Sequence, residues 1–348
     1  MKWGEKRMLE NPSNLILTRL SQPAGENSTQ LENLLTAYRI ALTQHDSIRS
    51  RMAYGRDLNV CCWELSEHLG FTVQHVVLNL PWLMDRQRAL WYRDRLREAV
   101  SNRGKILADA TINRRLAVMS AVMQEFIRAG LISSNPFEGL TLTRGRSDPT
   151  PALSNDQRQA LVIAPDVENA RTPFERRRCL RDRILLALLF VHGIRREEAR
   201  LVRFGDVTMN QGYQVLTVRQ KGGKMISHRL HPKVWHYMQI YRAEFLEKDD
   251  DFLFGGLTRN GISKNDQPMS PQSINYVVHF WARKAQIKGV RVTPHCGRST
   301  VITEALKKAP LQVVSRGIGH ATIETTARYD RSRTRLDQSP MSFQNVEL

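Results

Sequence analysis

GIGHATIETTARYD occupies residues 317–330. It sets a Gly319-His320 pair nine residues ahead of Tyr329. Alone this is ambiguous, since Gly-His can open a helix and a tyrosine there can be a half-buried aromatic. Three earlier stretches change its weight. HGIRREEARL (192–201) places Arg195 after Gly193-Ile194. VRQKGGKMISHRL (218–230) puts Lys221-Gly222-Gly223-Lys224 between two strand-like runs, 213–219 and 225–230. Its glycines allow the positive-φ positions of a tight hairpin turn. VTPHCGRST (292–300) carries His295 and Arg298 where a helix can begin. Each residue taken singly has an ordinary structural explanation; their order and spacing do not.

The rest of the chain bounds what these residues can serve. It has 348 residues, 41% of them apolar, enough for two domains with real cores. Lysine and arginine total 52 against 34 acidic residues, a formal charge of +18. That excess points to a polyanion, with nucleic acid first, because each neutralised phosphate releases counterions. The four cysteines form no CxxC pair and suggest no disulfide framework, which fits a reduced, cytoplasmic setting. The first residues lack the apolar core of a signal peptide. The longest apolar run, 184–191, is far short of the roughly 20 residues that span a bilayer, so it reads as a buried helix with no membrane role.

Residues 1–27 form an irregular extension broken by Pro12, Pro23 and Gly25. A helical domain of four helices is expected over 28–137: 31–44, 47–69, a third that Pro81 can start, and a fourth. The fourth is the clearest, because Ile112, Leu116, Met119, Met123 and Phe126 advance by threes and fours along one face. Residues 138–153 read as an exposed linker rich in Gly, Pro, Ser and charge. A second domain is expected over 154–330. It opens at Ser154 with Gln157 three residues on, a helix N-terminus signature. It continues through an apolar helix near 177–192, the hairpin, and helices near 271–286, 298–308 and 320–330. Residues 331–348 are a polar tail. The expected fold class is therefore mostly α with a small β-sheet.

The ordered set resembles the tyrosine recombinase, or phage integrase, family that includes Xer-type and Cre-like enzymes. An arginine after a Gly-aliphatic pair, a hairpin lysine, a His-x-x-Arg box, a Gly-His and a tyrosine nine residues later all occur in order. The resemblance covers about residues 28–335. It implies a four-helix, SAM-like core-binding domain followed by an α+β catalytic domain. It also implies a site made of Arg195, Lys221, His295, Arg298, His320 and Tyr329, with Glu198 orienting an arginine. The chain departs from the family at Ser299, where His or Lys is common, and at Cys296. A cysteine between two catalytic residues leads to an expected sensitivity to thiol reagents.

The chemistry suits these residue types. Arginine forks match the non-bridging oxygens of a phosphodiester, where charge builds during attack. The phenol must lose a proton of pKa near 10, for which His295 is the expected base. The resemblance gives Lys221 the task of protonating the leaving 5′-oxygen. It also gives Tyr329 a 3′-phosphotyrosine product that a 5′-hydroxyl can resolve without ATP. No metal or cofactor is expected. Arg49, Arg51, Arg56, Arg114, Arg115 and Lys224 are candidate DNA contacts. Implied partners are duplex DNA with paired inverted-repeat core sites, three further copies of the chain in a tetramer, and a directionality or accessory factor. The tail, with Leu336, Met341, Phe343 and Val346, can dock on a neighbouring protomer. Two alternatives stay open: a type IB topoisomerase, which shares the tyrosine chemistry, and a silent DNA-binding regulator on the same scaffold.

Overall fold

A helix that buries every face must lie at the centre of its domain, and residues 184–190 do so, from Ile184 at 1% exposure to Phe190 at 0%. The computed structural model describes residues 28–44, 48–101, 104–141, 150–220, 223–257, 263–320 and 322–330. The extension 1–27, the tail after 330, Lys221 and most of the expected linker lie outside the described residues. The chain divides into two units, Met1–Ser147 and Asp148–Leu348. The division falls within 138–153. As expected, the described chain is mostly helical, with two small antiparallel sheets.

The first unit holds five helices among the described residues, not four: α1 (Ser28–Thr43), α2 (Ile48–Leu69), α3 (Val73–Leu83), α4 (Arg86–Glu98) and α5 (Asp109–Arg128). Where one helix starting at Pro81 is expected there are two, one that ends just past Pro81 and one that follows it. Thr72 caps the first by accepting from the His75 N–H, and Asp85 caps the second by accepting from the Arg88 N–H. Pro81 does not start a helix; it sits in the last turns of α3. Proline removes the N–H that Val77 would have met four residues on. The buried Tyr38 hydroxyl, on α1, supplies the missing donor to the Val77 carbonyl at 2.7 Å. The apolar stripe of α5 is buried as its spacing predicts, with Ile112, Leu116, Met119, Met123 and Phe126 at 1% exposure or less.

The second unit runs α6 (Asn155–Ile163), α7 (Pro173–Phe190), α8 (Arg196–Ala199), β1 (Val207–Asn210), β2 (Tyr213–Arg219), β3 (Met225–Arg229), α9 (Pro232–Phe245), β4 (Gly255–Leu257), β5 (Ser263–Pro268), α10 (Pro271–Lys284), α11 (Pro294–Leu306), α12 (Leu311–Ile318) and α13 (Ile323–Ala327). Ser154 and Gln157 form the reciprocal capping pair that their spacing predicts. The hairpin is β2–β3, with Arg219 opposite Met225, and β1 adds a third strand on the far side of β2. The apolar α7 carries the core. α11 crosses it so closely that a Cβ on Gly297 would stand 2.6 Å from the Leu189 carbonyl oxygen. α12 was not foreseen, because its Val-Val pair and Gly317 are poor helix formers. Tertiary packing of Val314 and Ile318 on Ile302 of α11 holds it. No helix among the described residues is long and apolar enough to cross a membrane.

Candidate active site

Arg195 is placed by the turn that ends α7. Gly193 takes φ +67°, which only glycine adopts cheaply, and the next amide, Ile194 N–H, returns to the Leu188 carbonyl. The buried Glu198 then receives both the backbone N–H of Arg195 at 2.9 Å and its guanidinium at 2.7 Å. The carboxylate side chain is 4% exposed and the arginine 39%, so the fork faces outward from a fixed base.

Thr293 starts α11 by accepting from the Cys296 N–H. His295 is exposed on its first turn and Arg298 is turned inward, 2% exposed. Arg298 donates to the Gly193 carbonyl at 2.9 Å and to the Ile318 carbonyl at 2.8 Å. It thereby ties the segment before Arg195 to the segment before His320. These bonds use two of its five N–H donors and leave three.

α12 ends on Gly319 at φ +73°. That backbone favours glycine, and a Cβ there would lie 1.8 Å from Ile226 Cδ1, so any side chain would also have to push Ile226 and Gln220 aside. His320 follows, 9% exposed, with Nδ1 2.7 Å from the hydroxyl of the fully buried Thr326. Tyr329 lies just past α13. Its ring stacks on His320 with centroids 6.0 Å apart, and its hydroxyl is 3.5 Å from His295 Nε2, a long hydrogen bond.

Residues spread over 135 positions of sequence thus converge: Arg195, Glu198, His295, Arg298, His320 and Tyr329 form one cluster. Lys221 lies outside the described residues; its neighbours Gln220 and Lys224 close the hairpin, and Gly223 has φ +80°. Thr326 was missed by sequence reasoning. Its signal is a hydroxyl three residues before the tyrosine, where a helical turn brings it back towards the site.

The site is positive and partly desolvated. Burial first, then the Arg195 charge, holds the Arg298 pKa down to about 10, so the group is charged at neutral pH. Burial first, then both arginines, lowers His295 below its ordinary range. The same causes, with His295 added, bring His320 to about 4. His192, also at about 4, is held there by burial and by His228 and His231. A histidine whose proton affinity falls on folding leaves the unfolded chain to take up the proton first. The stability carried by these groups is full above pH 6.5 and is lost as pH falls towards 4. The melting temperature is therefore expected to be lower at pH 5 than at pH 7, and less so in a His192→Asn, His320→Asn variant. An equal drop in both proteins would refute the assignment.

Two departures from the family pattern acquire structural reasons. Ser299 is fully buried and donates to the Thr150 carbonyl at 2.7 Å. Cys296 is fully buried in the core, so the expected sensitivity to thiol reagents is corrected: a reagent cannot reach that sulfur. All four cysteines are buried, and burial pushes Cys62 up to about 12. The native chain should show no labelling by a thiol reagent near pH 8, and four thiols on denaturation. Rapid native labelling that Cys296→Ser removes would restore the original expectation.

In the helical unit, Arg51, Arg56 and Arg114 are exposed, while the side chain of Arg49 lies outside the described residues; Lys224 is exposed on the hairpin. Arg115 is a correction. Its side chain is 12% exposed and, with Arg114, pairs with the buried Asp57. Burial pushes the Asp57 carboxyl up despite both arginines, and Arg115 is the less exposed of the two that lie against it. Arg115 is mostly drawn in against Asp57, so it offers a phosphate less surface than Arg114 does.

Known proteins resemble this chain over most of its length. Residues 153–335 match the model of the phage integrase family. Tyrosine recombinase XerD of Ralstonia nicotianae is 29% identical over 270 residues, covering 75% of this chain and 82% of that protein. A lambda integrase dimer bound to a COC′ core site superposes with a TM-score of 0.57 at 14% identity, covering 97% of this chain and 87% of that one. A lambda integrase tetramer bound to a Holliday junction gives the same TM-score and identity, covering 93% and 85%. At that identity the two structures speak for the fold alone. With more than half its length matched and the ordered site residues gathered in one place, the chain belongs to the phage integrase family, that of the tyrosine site-specific recombinases.

Proposed function

We propose that this chain cuts and rejoins duplex DNA at specific sites through a 3′-phosphotyrosine bond to Tyr329. The observation that carries the reading is the Tyr329 hydroxyl beside His295 Nε2, with its ring on His320 and two arginines behind it. His295, neutral because its proton affinity is lowered, accepts the phenolic proton. Arg195 and Arg298 offer guanidinium N–H groups to the non-bridging oxygens as charge builds there. His320, neutral, donates from Nε2 while Thr326 fixes its other nitrogen. The phosphorus–tyrosine bond forms as the bond to the 5′-oxygen breaks, and Lys221 supplies that oxygen with its proton. Attack by a 5′-hydroxyl from a second duplex reverses the step and exchanges partners, with no ATP.

The helical unit clamps the duplex, with Arg51, Arg56 and Arg114 facing phosphates. Four copies assemble on two inverted-repeat sites, the tail of each docking on its neighbour. That a lambda integrase of the same fold is a tetramer on a Holliday junction supports the count of four. The working compartment is the cytoplasm, where the DNA lies. The test uses nicked suicide duplexes tiled across the DNA flanking the gene. A covalent adduct through the DNA 3′ end, with recombination between two copies of the reactive site, is the expected result. Adduct formation with plasmid relaxation but no exchange would replace recombination by topoisomerase activity. No adduct on any duplex would remove the cleavage reading.

A further inference from the structure

β3 turns Ile226 and His228 inward and exposes Met225, Ser227 and Arg229. His228 pairs with Leu216 of β2, and β2 packs against α8, the short helix that carries Glu198. The imidazole is 9% exposed, and its Nε2 is buried with no hydrogen-bond partner among the described residues. A buried polar atom left without a partner is costly, and such atoms are rare unless they serve something.

The groups acting on this ring are those of the active site. The Glu198 carboxylate and the Arg298 and Arg195 guanidinium groups all bear on it, and it bears in turn on His192. Burial outweighs the pull of Glu198 and keeps the ring neutral at pH 7, with one N–H to give. Glu198 itself is held through Arg195, by the backbone N–H and the guanidinium. In strand cleavage Arg195 must share that guanidinium with a phosphate. The carboxylate then loses part of its donor set at the moment the arginine must be held most firmly.

We infer that His228 is a positioning residue: its Nε2–H donates to the Glu198 carboxylate as Arg195 turns to the scissile phosphate, keeping the base of that arginine in place. The inference rests on the cleavage reading above and adds a residue to it. His228 does not touch DNA; it acts through Glu198.

The test measures single-turnover adduct formation by the full chain on nicked suicide duplexes tiled across the DNA flanking its gene. Affinity for the same duplexes and the melting temperature are measured alongside. His228→Leu is expected to slow adduct formation about tenfold, the loss of one hydrogen bond to a charged group. Affinity should be unchanged and melting unchanged or raised, because a buried orphan polar atom is removed. His228→Gln, which places an amide N–H near the same point, should restore the parental rate. A Leu variant as fast as the parent, or a Gln variant as slow as the Leu variant, overturns the inference. If the parent itself forms no Tyr329-dependent adduct on any duplex, the cleavage reading falls and the inference falls with it.

Discussion

Tyr329→Phe is expected to abolish the covalent DNA adduct, with cleavage down by at least about three orders of magnitude. The substitution removes one oxygen and leaves the ring. The ring is what packs, stacked on His320 and set against the cluster of Ile302, Val314 and Ile318. The hydroxyl holds little of the fold, since its hydrogen bond among the described residues is the long 3.5 Å approach to His295 Nε2. Melting and DNA affinity should therefore match the parent while the adduct vanishes. Denaturing gels of the reaction on a reactive nicked duplex, beside a gel-shift titration, separate the two effects. An adduct that persists in the Phe variant would assign the nucleophile elsewhere, and the remaining tyrosines would then have to be tested one by one.

The second large effect is expected at Arg298, where Arg298→Lys should lower both stability and cleavage. The guanidinium spans two carbonyls, those of Gly193 and Ile318. A lysine carries the same charge on a single nitrogen and cannot fork between them. A buried carbonyl loses its charged donor, costing about 1–3 kcal/mol, so the melting temperature falls. Cleavage should fall further, on the order of a hundredfold or more, because a fixed donor to the developing phosphate charge is lost. The two losses share a cause. The turn before Arg195 and the turn before His320 are held at one distance by this one side chain. No carboxylate lies in salt-bridge range of Arg298 among the described residues, so a positive charge is kept buried without a direct counter-ion. Such an arrangement is costly unless an anion completes it. Thermal melting and single-turnover cleavage of the Lys variant check both parts. Parental values in both would show that the two carbonyls need no fork.

Much of the site was legible in the order of the residues. The positions 195, 295, 298, 320 and 329 stand out because a reaction on a phosphodiester constrains residue type and order together, and the fold brings them to one place, while 221 lies outside the described residues. Local chemistry was legible as well. Ser154 and Gln157 announced a helix start that depends on atoms three residues apart. The hairpin glycines announced a turn, and the α5 stripe announced a buried face.

Elements decided by distant partners were not legible. Pro81 reads locally as a helix start, yet it sits inside α3 because the Tyr38 hydroxyl, 39 residues from Val77, satisfies the carbonyl that proline orphans. Arg115 reads as a surface cation, yet it is drawn inward by Asp57 on another helix. Cys296 reads as a reagent-sensitive thiol between two catalytic residues, yet the inward side of α11 takes it into the core.

The sequence alone therefore determined the family and singled out the side chains proposed to carry its reaction, because chemistry fixes residue type and order. The tertiary structure alone decided which arginine is drawn in against a buried carboxylate, that the thiols are buried, and which buried histidine lies near the site. Those outcomes depend on burial and on partners brought together by folding, and a linear pattern holds no record of either.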